Sequence, residues 1–471
     1  MPKINHPEKK NLDLLLINPS LDWKFEQASR IARRVDKNIP NQETPHIGIA
    51  YLLSVSKKDG LRTRYIDMAM EGVSPEEIVD CVREARPSLV GFTSYTIQIK
   101  GAARIAQMIK HKFPDTAICL GGPHASAIPL ETLKEFPVFD FVICGEGEEV
   151  LLKVFNSLGK NNELSHIEGV VTKGSGTISR NWIKDLDKMP FPAWEEFDLS
   201  KYPGTYPHRT SLELPMITGR GCPYRCIFCC RSLGGNLRHR SAASVVDEIE
   251  RNVEKFGCES IAFLDETFML DRIWAKVFFN NLQERKLHKK ITWSCSTRVS
   301  DVSPELLGQM REHGCYYIFF GFESADNDTL KRIKKNVTVA QIKNAVQWAK
   351  EAGIIPVGAF IIGLPGDTEA HVLKAVNLAD ELDLYSVTFP IAVPFPGTEL
   401  RDLALKNQYG MKIISENWDH YGKQDPGVME SNELSWAKRK ELQCMAYERH
   451  PKKELRNYLG HLSKLGFPFS Y

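Results

Sequence analysis

The sequence predicts an α/β protein in three parts: an N-terminal doubly wound domain with a five-stranded parallel sheet, a partial (β/α)6 barrel, and a helical C-terminal region. Two observations predict this order. Short apolar runs typical of buried strands alternate with stretches of helical periodicity over most of the chain. A proline-spaced polar segment at 185–194 interrupts the alternation, which then starts again.

The composition is typical of a folded protein with large cores. The chain has 471 residues, of which 42% are hydrophobic and 25% are charged. This much apolar surface can offset the entropy lost on folding, so global disorder is excluded, and the length predicts two or three domains. The formal net charge is only +2, which favours neither a nucleic-acid partner nor an anionic membrane.

The N-terminus and the cysteines predict the compartment. The first residues are polar, and no run of about 18 apolar residues occurs, so we expect no signal peptide and no membrane span. The 11 cysteines are scattered through a long chain except for one tight group, which favours a reducing compartment over a disulfide framework. We therefore expect a cytoplasmic protein.

The N-terminal domain is predicted strand by strand. Apolar runs that indicate strands lie at 12–18, 88–94, 116–121 and 139–144, with a weaker run at 62–67. Apolar residues at helical spacing lie at 49–56, 75–85, 99–110 and 146–155. Ligands of doubly wound sheets bind beyond the carboxyl ends of the strands, so the loops at those ends are the candidate binding segments.

Three of these loops are rich in glycine or hydroxyl groups. They contain Thr93, Ser94 and Tyr95, then Gly121, Gly122, Pro123 and His124, and finally Gly145, Glu146 and Gly147. Glycine lets a bulky ligand approach the backbone, although each loop taken alone could be an ordinary turn. No P-loop and no Gly-x-Gly-x-x-Gly follows the first strand, which disfavours the usual nucleotide sites.

The strand ends resemble the cobalamin-binding domain that precedes the barrel in many radical SAM enzymes. The resemblance covers most of residues 10–160 and includes Leu-Gly-Gly-Pro-His and Ile-Cys-Gly-Glu-Gly-Glu. It implies that the three loops cradle a corrin ring. The Asp-x-His-x-x-Gly motif, whose histidine ligates cobalt in methionine-synthase-like domains, is absent, and His124 does not fit it. The resemblance therefore implies cobalamin without a histidine lower ligand.

A cysteine motif opens the second domain. Cys222-x-x-x-Cys226-x-x-Cys229 follows a strand-like run at 214–219, and this spacing rarely arises by chance. A 4Fe-4S cluster normally takes one protein thiolate for each iron, so three cysteines leave one iron open to chelate a substrate. The alternative is a zinc site completed by Cys230. Adjacent cysteines make a poor tetrahedral pair, and no second Cys-x-x-Cys or histidine pair follows.

The chain after the cysteines predicts a barrel. Strand-like runs at 214–219, 260–265, 291–297, 316–323, 356–363 and 386–394 alternate with helical stretches at 242–256, 271–286, 303–313, 337–352 and 367–382. Six strands with intervening helices indicate a partial (β/α)6 barrel, whose chemistry is expected at the carboxyl ends of the strands. The predicted domain limits are 1–160, 161–213 with a hairpin at 169–180 and a linker, 214–400, and 401–471.

The cysteine spacing after a first strand resembles the radical SAM superfamily. This implies that Cys222, Cys226 and Cys229 bind a 4Fe-4S cluster whose open iron holds the methionine end of S-adenosylmethionine (SAM). Further SAM contacts implied by the resemblance are Phe228 within the motif, Asp265 and Glu266 for the ammonium group, Arg298 for the carboxylate, Glu323 for the ribose, and residues 360–366 along the adenine. Taken singly, each polar residue could instead form a salt bridge at the barrel rim.

Residues 394–400 also resemble cobalamin-dependent radical SAM enzymes. Together the three resemblances imply a cobalamin-dependent radical SAM methyltransferase. Reductive cleavage of SAM would form a 5'-deoxyadenosyl radical that takes hydrogen from an unactivated carbon, and methylcobalamin would then methylate that carbon. Such an anaerobic reaction needs an electron donor such as a flavodoxin or ferredoxin. The substrate is a small molecule, a peptide or a protein side chain, and the basic C-terminal region is either a solvated face or a docking surface for a macromolecule.

Three other functions stay open. A cyclase or oxidative enzyme resembling the anaerobic magnesium-protoporphyrin ester cyclase would use both cofactors without methyl transfer. A non-catalytic cobalamin or metal sensor would not cleave SAM. A methylthiotransferase is disfavoured, because the N-terminal half has no second cysteine triad and the C-terminus shows no obvious small β-barrel.

Overall fold

The computed structural model describes residues 12–20, 44–158, 164–202, 212–422, 427–451, 453 and 455–468. The chain divides into two compact units, the first made mainly of His46–Lys184 and the second mainly of Tyr202–Tyr471. The division falls within the segment 161–213, which the sequence predicts as a hairpin and linker. No helix in the described part of the chain is long and apolar enough to cross a membrane.

The first unit is built on a six-stranded sheet. Its strands are β1 (Leu14–Asn18), β2 (Thr63–Asp67), β3 (Leu89–Thr93), β4 (Ala117–Gly121), β5 (Phe141–Ile143) and β6 (Val170–Thr172), in the order β2-β1-β3-β4-β5-β6. The first five are parallel, which confirms the predicted doubly wound domain. The predicted hairpin instead contributes β6, which extends the sheet by pairing antiparallel with β5.

Seven helices of the described residues connect these strands. They are α1 (Ile47–Lys58), α2 (Met68–Glu71), α3 (Pro75–Ala85), α4 (Ile99–Lys112), α5 (Pro123–Ala127), α6 (Pro129–Glu135) and α7 (Glu148–Ser157). Local sequence sets their ends: α3, for example, begins with a capping box between Ser74 and Glu77. The strand order reverses between β1 and β3, so the carboxyl ends of these strands flank the place where doubly wound sheets bind ligands.

The second unit is built on a second parallel sheet. The strands of this unit begin with β7 (Glu213–Met216), β8 (Gly219–Arg220), β9 (Arg238–His239), β10 (Ser260–Phe263) and β11 (Thr292–Thr297), and continue with β12 (Cys315–Glu323), β13 (Ile355–Phe360) and β14 (Val387–Thr388). The order in the sheet is β14-β13-β12-β11-β10-β7. Strand β14 is much shorter than the predicted run, because the prolines at 390 and 394 cannot donate to a ladder. Beyond it, a single bridge joins Ile391 to Ile362.

The barrel helices begin at polar residues whose side chains accept a backbone hydrogen bond from the first turn. These caps are Ser241, Asp271, Ser303, Asp326, Thr338 and Thr368, which precede α8 (Ala242–Phe256), α9 (Arg272–Glu284), α10 (Pro304–Glu312), α11 (Asn327–Arg332), α12 (Val339–Glu351) and α13 (Glu369–Leu382). Aromatic rings fill the core beneath them, including Phe263 stacked on Phe268 with ring centroids 4.6 Å apart.

Within its described residues, the C-terminal region contains three α-helices and a short ribbon, as expected for a helical region. The helices are α14 (Glu399–Leu405), α15 (Trp436–Arg449) and α16 (Leu455–Lys464), and the ribbon pairs β15 (Lys412–Ile413) with β16 (Met429–Glu430). Helix α15 buries a face that includes Arg439 and Leu442, and Gln443 Nε2 donates to the carbonyl of Phe389 at 2.8 Å. Helix α15 therefore packs directly on the sheet of the second unit.

Candidate active site

The cysteine motif lies in a loop that leaves the sheet through β8. The amide of Cys222 donates to the carbonyl of Gly234 at 3.2 Å, and that of Cys229 donates to the carbonyl of Cys226 at 3.2 Å. Gly221 has a φ of +93°, and a Cβ there would lie 2.3 Å from the carbonyl oxygen of Asn236. Glycine is therefore required at the entry to the loop, because no side chain fits between the two crossing backbones.

The three motif cysteines differ in exposure and in thiol chemistry. Cys226 is buried, Cys222 is half-buried and Cys229 is exposed. A hydrogen bond from the Cys229 thiol lowers the pKa of Cys226, and the charges of Lys335 and Arg298 lower it further. Burial raises the pKa of Cys222. Since the thiolate is the form that binds metal, the surroundings of Cys226 favour a ligand role.

Three cysteine thiols are the candidate donors in this loop. Among the described residues, no three His, Cys, Asp or Glu side chains lie close enough together to hold one metal ion. A cluster that takes one thiolate on each of three irons does not require the three sulfurs to meet at a point. The three-thiol donor set therefore fits a 4Fe-4S cluster.

Arg298 lies beside the cysteines. Its Nη1 donates to Cys226 Sγ at 3.3 Å, and its Nη2 donates to the carbonyl of Lys335. Its guanidinium carbon lies 3.7 Å from the centre of the Tyr224 ring, and the Tyr224 hydroxyl donates to Asp301 at 2.6 Å. The predicted partner of a SAM carboxylate thus lies at the cluster loop, where it supplies positive charge to a thiol.

The two carboxyl groups after β10 are in different surroundings. Asp265 is buried, and its Oδ1 accepts hydrogen bonds from the Thr218 hydroxyl at 2.6 Å and the Gly219 amide at 2.7 Å. It therefore joins the carboxyl ends of β7 and β10, although burial still raises its pKa to about 6. The side chain of Glu266 is exposed. Desolvation by the surrounding protein raises the pKa of its carboxyl to about 7, and the positive charges of Arg231 and Arg238 act to lower it. Of the two, Glu266 is the more accessible to a ligand ammonium group.

Glu323 is paired within the protein. Its Oε1 lies 2.9 Å from Lys335 Nζ, and both side chains are buried. Its backbone has a φ of +66°, which is unusual for a residue other than glycine. A Cβ at Gly321 would lie 2.3 Å from Glu323 Oε1. The segment Gly321–Glu323 is therefore shaped to hold a buried ion pair at the end of β12. Glu323, which is predicted to contact the ribose, is one member of that pair.

The segment 360–366 leaves β13 as a tight loop. Asp367 Oδ2 accepts hydrogen bonds from the amides of Gly363 at 3.2 Å and Leu364 at 2.9 Å. Arg332 Nη1 donates to the carbonyl of Pro365 at 2.7 Å. Two charged side chains from outside the segment thus hold its backbone, which is the part predicted to lie along adenine.

The strand ends of the first unit are shaped mainly by backbone. Gly122 has a φ of +92°, and a Cβ there would lie 2.7 Å from the amide nitrogen of Ser94. Gly145 has a φ of +83°, and its Cβ would lie 2.6 Å from the carbonyl of Asn181. These two glycines are required by the protein's own turns. At Gly121, by contrast, an added Cβ would make only an ordinary van der Waals contact, 3.8 Å from the carbonyl oxygen of Phe92.

The other predicted corrin contacts are divided between exposed and structural positions. Tyr95 is 54% exposed, whereas Thr93 and Ser94 are buried. Glu146 Oε2 accepts a hydrogen bond from the amide of Ile183 at 2.5 Å, so its carboxylate holds the segment after β6. The remaining corrin candidates lie in the same loops, where Pro123 opens α5 and Gly147 precedes α7. The predicted SAM contact Phe228 is half-buried between the cysteines of the second unit.

Sequence reasoning missed three residues that organise the site of the second unit. Lys335 pairs with Glu323, and its charge lowers the pKa of Cys226. Asp367 and Arg332 hold the loop after β13. Asp367 follows the glycine turn that it holds, but no local motif in the sequence marks its role. For Lys335 and Arg332 the sequence carries no signal either.

Two family models match the chain. The B12 binding domain matches residues 33–155, and the radical SAM superfamily matches residues 216–379. The first match contains the glycine loops after β3, β4 and β5, and the second contains the three motif cysteines and most of the second sheet. The two matches thus correspond to the two units.

The chain is similar to both curated proteins and solved structures. It is 31% identical to an uncharacterized methyltransferase of Pyrococcus horikoshii, over 83% of this chain and 84% of that protein. It is 30% identical to the anaerobic magnesium-protoporphyrin IX monomethyl ester cyclase of Cereibacter sphaeroides, over 76% of this chain and 60% of the cyclase. The structure of the radical S-adenosylmethionine methyltransferase TsrM from Kitasatospora setae, with cobalamin and a [4Fe-4S] cluster bound, superposes with a TM-score of 0.67 and 17% identity, covering 92% of this chain and 81% of TsrM.

Proposed function

The chain belongs to the cobalamin-dependent radical SAM enzymes, and we propose from this that it transfers a methyl group to an unactivated carbon of its substrate. The single observation that carries the proposal is the loop that contains Cys222, Cys226 and Cys229 after β8, where Arg298 Nη1 donates to Cys226 Sγ at 3.3 Å. Bound in this protein, the cluster with SAM would supply a 5'-deoxyadenosyl radical and the cobalamin would supply the methyl group.

The residues of the second unit have distinct tasks in this proposal. Cys222, Cys226 and Cys229 hold the cluster and leave one iron open. Glu266 receives the SAM ammonium group, because its carboxylate is exposed at the strand end, while Asp265 keeps that strand end in place. Arg298 donates to Cys226 Sγ and is the candidate for the SAM carboxylate. Glu323, oriented by Lys335, is the candidate for the ribose hydroxyls.

The first unit is proposed to hold the corrin with its strand-end loops. Gly121, at the end of β4, is partly exposed and has no side chain to obstruct a ligand, and Tyr95 presents an exposed ring after β3. Neither loop supplies a histidine in the Asp-x-His-x-x-Gly pattern, and His124 is buried with its Nδ1 3.2 Å from the Thr96 hydroxyl. We therefore propose cobalamin without a histidine lower ligand.

The proposal also includes a substrate class and an electron donor for the cluster. The methylated carbon belongs to a small molecule, a peptide or a protein side chain. An electron donor such as a flavodoxin or ferredoxin would reduce the cluster, and the oxygen sensitivity of an open cluster favours anaerobic conditions in the cytoplasm. Similarity to a methyltransferase over 84% of that protein favours methyl transfer, whereas the chain spans only 60% of the cyclase.

The test compares two neighbouring thiols after anaerobic reconstitution with iron, sulfide, hydroxocobalamin and SAM. We expect Cys226→Ala to abolish 5'-deoxyadenosine formation because it removes a cluster ligand. Cys230→Ala, four residues away in the same loop, is the matched control and should retain the activity. Retained cleavage in Cys226→Ala would contradict the proposal.

A labelled methyl group separates methyl transfer from the cyclase alternative without knowledge of the substrate. SAM carrying a trideuterated methyl group is incubated with the reduced holoenzyme, and the extracted cobalamin is analysed by mass spectrometry. A methyltransferase of this kind should give trideuteromethylcobalamin. Formation of 5'-deoxyadenosine with unlabelled cobalamin would favour the cyclase or oxidative reaction instead.

A further inference from the structure

The second unit contains a fully buried cation that has no part in the proposed chemistry. Arg439, on α15, has no exposed side-chain surface, although arginine is rarely buried completely. Its Nε donates to the carbonyl of Leu434 at 3.1 Å and its Nη2 to the hydroxyl of Ser431 at 3.3 Å. The remaining nitrogen, Nη1, is buried without a hydrogen-bond partner in the described structure. These two hydrogen bonds, both to residues just before α15, do not account for the burial of this charge.

The guanidinium lies against the loop that leaves β13. A Cβ added to Gly363 would lie 2.5 Å from the guanidinium carbon of Arg439, closer than two such carbons can approach. Gly363 also has a φ of +83°, which side chains disfavour. Gly363 is thus required both by its own turn and by the arginine that occupies the space behind it.

Arg439 is electrostatically coupled to the residue that holds the same loop. Asp367 Oδ2 accepts the amides of Gly363 and Leu364, and its Oδ1 is buried without a hydrogen-bond partner in the described structure. Burial raises the pKa of Asp367 to about 7, and the charge of Arg439 acts to lower it. Arg439 therefore favours the ionised carboxylate, which is the stronger acceptor for the loop amides.

We propose that Arg439 is a positioning residue for SAM: from the C-terminal helix, it keeps residues 363–366 in the shape that receives the adenine. This inference rests on the proposed function, which places adenine along residues 360–366. Arg332 holds the next part of the same loop through the carbonyl of Pro365. The C-terminal region then completes the cofactor site of the second unit, a role distinct from a solvated face or a docking surface for a macromolecule.

The experiment measures 5'-deoxyadenosine formation by the reconstituted holoenzyme as a function of SAM concentration. Arg439→Gln removes the charge, and Arg439→Lys keeps the charge but loses the planar fork. Lys438→Gln is the matched control, because Lys438 precedes Arg439 on α15 but pairs at the surface with Glu369 and Glu441. We expect Arg439→Gln to raise KM for SAM about tenfold while kcat changes by less than about twofold. Arg439→Lys should fall between Arg439→Gln and the unchanged Lys438→Gln.

Each outcome separates the inference from the proposed function. If the unaltered holoenzyme does not cleave SAM, the proposed function fails before Arg439 is tested. If it cleaves SAM and Arg439→Gln lowers only the melting temperature, with KM unchanged, Arg439 is a structural residue and the inference is overturned. An equal loss in kcat and in cluster content would also overturn it. If Arg439→Gln does not fold, the KM of Arg439→Lys decides the question against the same control.

Discussion

The strand ends of the two units are organised by different forces. In the second unit, charged side chains are held by one another and by backbone amides: Lys335 pairs with Glu323, Arg298 contacts Cys226, and Asp265 joins two strands. In the first unit, glycines with positive φ set the turns, and the exposed surface comes from residues such as Tyr95. The comparison indicates that charged side chains prepare the second unit for a charged ligand, whereas the backbone turns of the first unit provide a shape suited to a large ligand.

The largest expected effect tests the electrostatic organisation of the second unit. Lys335→Met leaves the buried carboxylate of Glu323 without its cation, so we expect the free energy of unfolding to fall by about 3–5 kcal/mol. Urea unfolding of the apoprotein measures the loss. The double variant Lys335→Met/Glu323→Gln removes both charges and should recover part of it. A single variant as stable as the parent would show that the pair does not organise this strand end.

A smaller effect tests the backbone organisation of the first unit. Gly122→Ala introduces a Cβ at a φ of +92°, where it would lie 2.7 Å from the Ser94 amide, so we expect a loss of about 2 kcal/mol and weaker cobalamin retention. The matched variant is Gly121→Ala, whose Cβ would lie an ordinary 3.8 Å from the carbonyl of Phe92 and should leave the melting temperature unchanged. Thermal unfolding and bound cobalamin after desalting are the two measurements. Equal melting temperatures for both variants would contradict a turn enforced at Gly122.

A third effect, smaller than the other two for a change of one pH unit, is a pH dependence in the loop after β13. The pKa of Asp367 is raised from 3.8 to about 7 by burial, so the folded state binds a proton that the unfolded state has released. This group therefore lowers stability as pH rises from about 4 to 7 and adds no further change above 7, with a slope of up to about 1.4 kcal/mol per pH unit. Asp367→Asn should show a shallower fall over that window in urea unfolding at several pH values. Parallel curves for the two proteins would rule out this titration.

Much of the fold was predictable because its signals are local. The parallel strands are short apolar runs bounded by glycine and proline, and the helices begin at capping residues that the sequence displays. The sixth strand of the first unit was not predictable as such, because residues 169–180 read locally as a hairpin. Whether such a segment pairs with itself or with the edge strand β5 depends on contacts with a distant part of the chain.

The candidate site was predictable only in part. The spacing of Cys222, Cys226 and Cys229 carries its own chemical meaning, and Glu266 was assigned together with Asp265. The sequence does not distinguish these two neighbouring carboxylates, whereas the structure shows that Asp265 accepts hydrogen bonds from Thr218 and Gly219. Arg439 and Lys335 were missed, since their importance comes from what they pack against.

The sequence alone determined the alternation of strands and helices, the glycines at the strand ends and a cysteine spacing that predicts a cluster with one open iron. These features depend on residues close together in the chain, where propensity, turn geometry and ligand spacing act directly. Only the tertiary structure decided which groups interact: Arg298 with Cys226, Lys335 with Glu323, and Arg439 with the loop at Gly363. Such pairs depend on burial and on contacts between distant segments, and both of these exist only once the chain has folded.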